Sequence, residues 1–248
     1  MRPDASKKLA AATPKKGTNP AVVGAVIAVV VIVGVVVAIL IGNSSKSGSA
    51  SPSSGNPVPV GVIGGTGGGI VANAATAKPN APTIDLYEDF QCPDCGKLEK
   101  AMGPQISSLA NAGQIKLVVH MLSFLDGNLK NDSSTRSANA AACAADAGKF
   151  LQYHAAVFAG QPTTEGAGYT DVQLTGFANT AGITGGALTT WQRCTSSGQH
   201  AQYVTDVQTA GEKAGVFGTP TVKLNGKDIT STLSTPESLV AAVTAATK

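Results

Sequence analysis

The run TIDLYEDFQCPDCGK at residues 83–97 sets the tightest limit on what this chain can become, because it passes a strand directly into a helix through two closely spaced cysteines. Thr83, Ile84, Leu86, Tyr87 and Phe90 are strand formers held between the turn-like Asn80-Ala81-Pro82 and the breaker Pro93. From Pro93 to Met102 the residues read as helix, with the proline in the first turn, where its missing N–H removes no hydrogen bond. Cys92 therefore stands at or just before the helix start. There, unpaired backbone N–H groups and the positive end of the helix dipole favour thiolate over thiol. Cys95 is close enough in sequence to attack a mixed disulfide at Cys92. The thiolate is the nucleophile in disulfide exchange, so the placement suits redox chemistry.

A CxxC is also half of a zinc site, and a structural zinc site needs two more ligands, usually from a second close pair. The chain has four cysteines, and the other two, Cys143 and Cys194, stand alone, as do His120, His154 and His200. No metal is expected. His154, beside Tyr153, reads as a packed helix residue, and Cys143 with Cys194 as a structural disulfide. That cysteine usage fits an oxidising compartment. At 248 residues the chain holds one globular domain with appendages. Its net charge is only +3, with much of the lysine excess at the N-terminus, so no nucleic-acid surface is expected.

Residues 1–20 carry Arg2, Lys7, Lys8, Lys15 and Lys16 against Asp4, and read as a basic tail without fixed structure. Ala21 to Ile41 contains no charge, and at helical rise it spans roughly 31 Å, about a bilayer core. It reads as a single uncleaved transmembrane anchor. The basic residues before it, against Lys46 alone shortly after, place the N-terminus in the cytoplasm and the remainder outside the cell membrane. Residues 42–68, rich in Ser, Gly, Pro and Asn, read as a flexible linker. At their end the run Gly61 to Gly69 lacks the Lys-Ser/Thr of a phosphate loop.

Ile70 to Ala72 reads as a short first strand. The cysteine helix is expected to end near Asn111, with a kink at Gly103-Pro104. Ile115 to Met121 is a buried-type strand, which completes a right-handed parallel βαβ unit. An Ala-rich stretch, 134–159, has apolar residues at helical spacing, and shorter helices are expected near 170–181, 186–195 and 198–214. A hairpin follows, with strands 221–224 and 227–229 around Asn225-Gly226, then a terminal helix capped by Thr235. This order gives an α/β, thioredoxin-like fold over 69–248 with a helical insertion at about 130–214.

The runs EDFQCPDC, GKFLQYH at 148–154 and GVFGTPTVKLNGK at 215–227 resemble the DsbA-like family of thiol-disulfide oxidoreductases. The resemblance implies a cis Thr219-Pro220 bond packed against the cysteines, with Cys92 the exposed attacking sulfur and Cys95 the buried resolving one. It further implies that reduced exported proteins are the clients, held by backbone beside Pro220. A quinone-linked membrane oxidase of DsbB or vitamin K epoxide reductase type would restore the disulfide, and no cofactor is required.

Two departures bear on tuning. Strongly oxidising members carry a histidine between the cysteines, whereas this chain has Pro93 and Asp94. An aspartate repels a nearby thiolate by roughly 0.5 to 2.5 kcal/mol, with Glu88 and Asp89 adding to the effect and Lys97 opposing it. A weaker oxidant than DsbA is expected, below about −140 mV and toward thioredoxin's value of about −270 mV. Leu86 stands where many thioredoxin-fold enzymes place a buried acid, and Glu88, on the same strand face, is the substitute proton acceptor. An oxidase of exported proteins is the favoured function. A tethered reductase or isomerase and a non-enzymatic binding module are the alternatives.

Overall fold

The computed structural model describes residues 57–247. The basic tail, the apolar run 21–41 and most of the linker lie outside the described residues, among which no helix is long and apolar enough to cross a membrane.

Five strands form one mixed sheet: β1 (Ile70–Val71), β2 (Thr83–Glu88), β3 (Lys116–Met121), β4 (Thr221–Leu224) and β5 (Lys227–Asp228), in the order β1-β3-β2-β4-β5. β2 is central. It runs parallel to β3, with Glu88 opposite Met121, and antiparallel to β4, with Tyr87 opposite Thr221. Helix α1 (Pro93–Asn111) makes the crossover between β2 and β3. It continues through Pro104, whose missing N–H leaves the Lys100 carbonyl without its usual helical donor.

Between β3 and β4 lie the helices of the insertion: α2 (Leu125–Leu129), α3 (Ser133–Asp146), α4 (Phe150–Ala159), α5 (Asp171–Thr180), α6 (Gly185–Ser196) and α7 (Ala201–Lys213). The expected Ala-rich stretch is two helices. Gly148 takes φ +66°, and the Lys149 amide bonds back to the Ala144 carbonyl at 2.8 Å, closing α3 with a left-handed cap. The alanines of α3 are buried almost without exception, which lets α4, α6 and α7 approach its axis closely. Cys143 on α3 and Cys194 on α6 are joined by a disulfide, with Cα atoms 5.9 Å apart, and Trp191 Nε1 donates to the Ala140 carbonyl at 3.0 Å. The chain closes with α8 (Pro236–Ala246), whose N-cap Thr235 exchanges hydrogen bonds with Ser238 in a capping box.

The linker is shorter than expected. From residue 57 the chain is fixed to the domain: His200 Nδ1 lies 3.0 Å from the Pro57 carbonyl, the Val60 amide donates to Asp146, and Tyr203 OH donates to the Gly68 carbonyl at 2.8 Å. The glycine run is a packing device here. A Cβ on Gly67 would stand 2.7 Å from the Asp206 carbonyl oxygen, so only glycine lets this loop lie against α7.

Candidate active site

Strand alternation divides the residues around the cysteines. Tyr87 and His120 stack with centroids 4.1 Å apart on one sheet face, beside α7. Ile84, Leu86 and Glu88 point to the other. β2 then turns into α1 through Asp89-Phe90-Gln91, and this turn is held by a buried polar network. Asp89 accepts from the Gln91 amide at 2.9 Å, the Ser134 hydroxyl at 2.6 Å and the Leu125 amide at 3.2 Å. Burial raises its carboxyl to about 6. Asp89 is expected to repel the thiolate, but its oxygens are turned to these donors, in the turn itself and in the insertion. Gln161, which has no sequence signature, braces the turn by donating to the Phe90 and Cys92 carbonyls, both at 2.9 Å. Tyr169 OH donates to the Phe90 carbonyl at 2.7 Å.

Cys92 is the N-cap of α1, with extended backbone and Pro93 following. The Thr219-Pro220 bond is cis, and the Thr219 carbonyl oxygen lies 3.4 Å from Cys92 Sγ. The loop therefore covers the sulfur. Cys92 keeps 7 % of its surface and Cys95 none, so the attacking sulfur is reached through a narrow opening and is not an exposed residue. Both cysteines are free thiols. The Cys92 thiol is lowered to about 6, chiefly by a hydrogen bond from Cys95, against the opposing effect of burial and with help from Thr219 and the Cys95 and Asp94 amides. These amides are the open N–H groups of the first helical turn. Burial pushes the Cys95 thiol far up, and the sulfur of Cys92 and the charge of Glu88 push it further. One sulfur is thus prepared as nucleophile and leaving group, and its partner is kept protonated until called on. The Thr219 hydroxyl, buried and without a hydrogen-bond partner among the described residues, also faces this pair.

Asp94 forms an ion pair with Lys97 at 2.7 Å on the exposed side of the first turn. Glu88 is fully buried, its carboxyl raised well above the usual range by burial and then by Cys92. Its partner is His154 on α4, with Nε2 2.8 Å from Oε2. His154 was expected to be a simple packing residue, and this contact shows that it is more. Its ring is walled by Phe90, Phe150 and Phe158.

Two groups of side chains among the described residues bring metal-type donors together: Cys143, Cys194 and His200, and Glu88, Glu99 and His154. The first has its sulfurs joined to each other, so it has no thiolate to offer.

Residues 73–245 match the family model described as thioredoxin. No curated protein sequence matches the chain. Among solved structures, the disulfide bond oxidoreductase DsbG of Mycobacterium tuberculosis, in its reduced form, is 31% identical, covering 68% of this chain and 81% of that one, with a TM-score of 0.57. Oxidised DsbA of M. tuberculosis is 29% identical over 75% of this chain and 91% of that one, with a TM-score of 0.58. MdbA of Actinomyces oris, a thiol-disulfide oxidoreductase, is 23% identical over 77% and 93%, with a TM-score of 0.64, a likeness of fold. With its family match, these relatives and a CxxC at the head of α1, the chain belongs to the DsbA-like thiol-disulfide oxidoreductases of the thioredoxin family.

Proposed function

We propose that this chain is a membrane-tethered, extracytoplasmic oxidase that introduces disulfides into exported proteins through Cys92 and Cys95. The observation that carries the reading is the Cys92 sulfur at the helix N-cap, 3.4 Å from the Thr219 carbonyl, with Cys95 sealed behind it. A client thiolate attacks Cys92 of the Cys92–Cys95 disulfide, Cys95 leaves and takes a proton from Glu88, and a second client thiolate resolves the mixed disulfide. Backbone at Thr219 and Pro220 lines the approach to the sulfur and holds the client as an extended segment. Phe217, 86 % exposed on the same loop, offers an apolar contact beside it. The charge-free run 21–41 and the basic residues before it support the anchor and its orientation, and the Cys143–Cys194 disulfide fits an oxidising compartment. The reduced enzyme is reoxidised by a quinone-linked membrane oxidase of DsbB or vitamin K epoxide reductase type.

One observation favours a second direction of flow. A Cys92 thiol at about 6 lies between the values of about 3.5 for DsbA and about 7 for thioredoxin, which suits a reductase or isomerase as well as a mild oxidase. Equilibration of the chain in glutathione buffers, followed by parallel assays of oxidation of a reduced protein and reduction of insulin, separates them. Faster insulin reduction than client oxidation would reverse the proposed direction. A Cys92→Ala protein that retained either activity would overturn the site.

A further inference from the structure

The acid and base behind Cys95 reach beyond what the two sulfurs touch. Glu88 and His154 are joined at 2.8 Å with both side chains out of solvent, and the second oxygen of Glu88, Oε1, has no partner among the described residues. Glu99, on the second turn of α1, brings a carboxylate oxygen to within 4.8 Å of this pair, a span that one bridging water covers. Glu99 is half-buried, and it lines a cleft of about 580 Å³ between α1 and α4, together with Lys100, Gly103, Pro104, Phe158 and Gln161. None of the residues lining that cleft belongs to the 217–220 loop that a client would cover.

We propose that Glu88, His154 and Glu99 form a proton line that connects Cys95 to the α1–α4 cleft, so that proton exchange continues while a client occupies the face at Cys92. The proposal rests on the reading of Glu88 as the proton partner of Cys95. His154 and Glu99 act through Glu88 and are positioning residues. When a client thiolate attacks, a bond forms between its sulfur and Cys92 Sγ, the Cys92–Cys95 bond breaks, and the electron pair leaves on Cys95 Sγ. Glu88 gives its proton to that sulfur. The second client thiol loses its proton to solvent and attacks the first client sulfur, which closes the client disulfide and expels Cys92 as thiolate. Glu88 regains a proton through His154 and Glu99 from water in the cleft. Two client thiols are oxidised and one protein disulfide is reduced. Of the two client protons, one is replaced on Cys95 and the other stays in solvent.

The surroundings suit such a line. Phe90, Phe150 and Phe158 close the sides of His154, which leaves Glu99 as the polar group toward the cleft. The titratable groups that face the cluster are Cys92 and Cys95 from α1, with Lys100 at the cleft. Asp85, Tyr87 and His120 lie on the opposite sheet face, and Asp89 is held by Ser134. Burial first, then the charge of Glu88, raises the Glu99 carboxyl to about 7, and burial lowers His154, so the imidazole stays neutral at pH 7.

By microscopic reversibility the same line carries the Cys95 proton out when Cys95 attacks a mixed disulfide, and that step can be isolated. The reduced full-length chain is mixed with excess oxidised glutathione, and the second phase, release of glutathione from Cys92, is followed across pH. Glu99→Gln and His154→Gln should each slow that phase by about tenfold or more, and Glu99→Gln should remove the titration near pH 7. Added imidazole should restore the rate of Glu99→Gln, whose defect opens on the cleft, but not that of Glu88→Gln, which is sealed. If Glu88→Gln slows resolution while Glu99→Gln keeps the wild-type rate and pH profile, the line to the cleft is refuted and the role of Glu88 stands. If Glu88→Gln is as fast as wild type, both fail together.

Discussion

Lys97 Nζ lies 2.7 Å from Asp94 Oδ1, so the carboxylate standing between the two cysteines carries its own counter-ion in the first turn of α1. Both side chains are exposed, and such a pair adds little to stability. Its consequence is electrostatic. The repulsion expected between Asp94 and a Cys92 thiolate is offset by an ammonium that itself interacts with Cys92, and the Lys97 ammonium is in turn held charged, chiefly by its hydrogen bond to Asp94.

A potential between about −120 and −270 mV is expected from a thiolate of this strength. Lys97→Ala should lower it by up to about 30 mV, because a less stable thiolate makes the reduced form less favourable. Asp94→His should raise it. Glutathione-buffer titrations read both shifts, and unchanged values in the two variants would show that first-turn charges do not set the redox poise.

The pH dependence of the two sulfurs should separate cleanly. Alkylation of the reduced chain by iodoacetamide should rise with pH through about 6 and then level off as Cys92 becomes fully thiolate, while Cys95 stays unlabelled. The same depression has a stability consequence. Cys92 titrates at about 6 when folded and at about 9 ordinarily, so its contribution to the reduced form is complete above about 9 and lost as pH falls through about 6. The oxidised form has no thiolate and lacks this dependence. The denaturant midpoint of the reduced form should therefore fall relative to that of the oxidised form on acidification, and a constant gap would contradict the assignment.

What the sequence disclosed is what local periodicity and local chemistry control. The alternation of Ile84 and Leu86, Pro93 at the helix start, the Asn225-Gly226 turn and the Thr235 cap each act within a few residues, and each appears where its pattern places it. Contacts between distant residues left no such trace. His154 meets Glu88 across 66 positions, and on its own helix it is indistinguishable from a packing residue. Gln161 and Ser134 have no motif, yet they fix the turn before Cys92. The glycines at 61–69 resemble a tether in composition, and only the approach of α7 and the contacts of His200 and Tyr203 reveal that they are packed.

The Cys143–Cys194 bridge closes a loop with a sequence separation of 51 within a helical block whose central helix offers mostly alanine. Small side chains bury little area each, so a constraint on the unfolded chain matters more there. The chain-entropy model assigns it on the order of 4 kcal/mol. The double variant Cys143→Ala/Cys194→Ala should lose much of that in urea unfolding, while Cys92 keeps its alkylation profile under native conditions. An unaltered midpoint would indicate that the insertion is held by packing alone.

Phe217 stands two residues before Thr219 with 86 % of its surface open to water, on the loop that covers Cys92. An apolar ring left in solvent there gains contact when a client segment lies along the loop, worth roughly 1.5–3 kcal/mol if fully buried. Phe217→Ala should therefore lower kcat/KM toward peptide clients with an apolar residue beside the reactive cysteine by about tenfold, which corresponds to 1.4 kcal/mol. Reaction with glutathione, too small to reach the ring, should be unchanged. A Phe217→Ala protein that slowed equally toward both substrates would locate the effect in the cysteine pair and not in client contact.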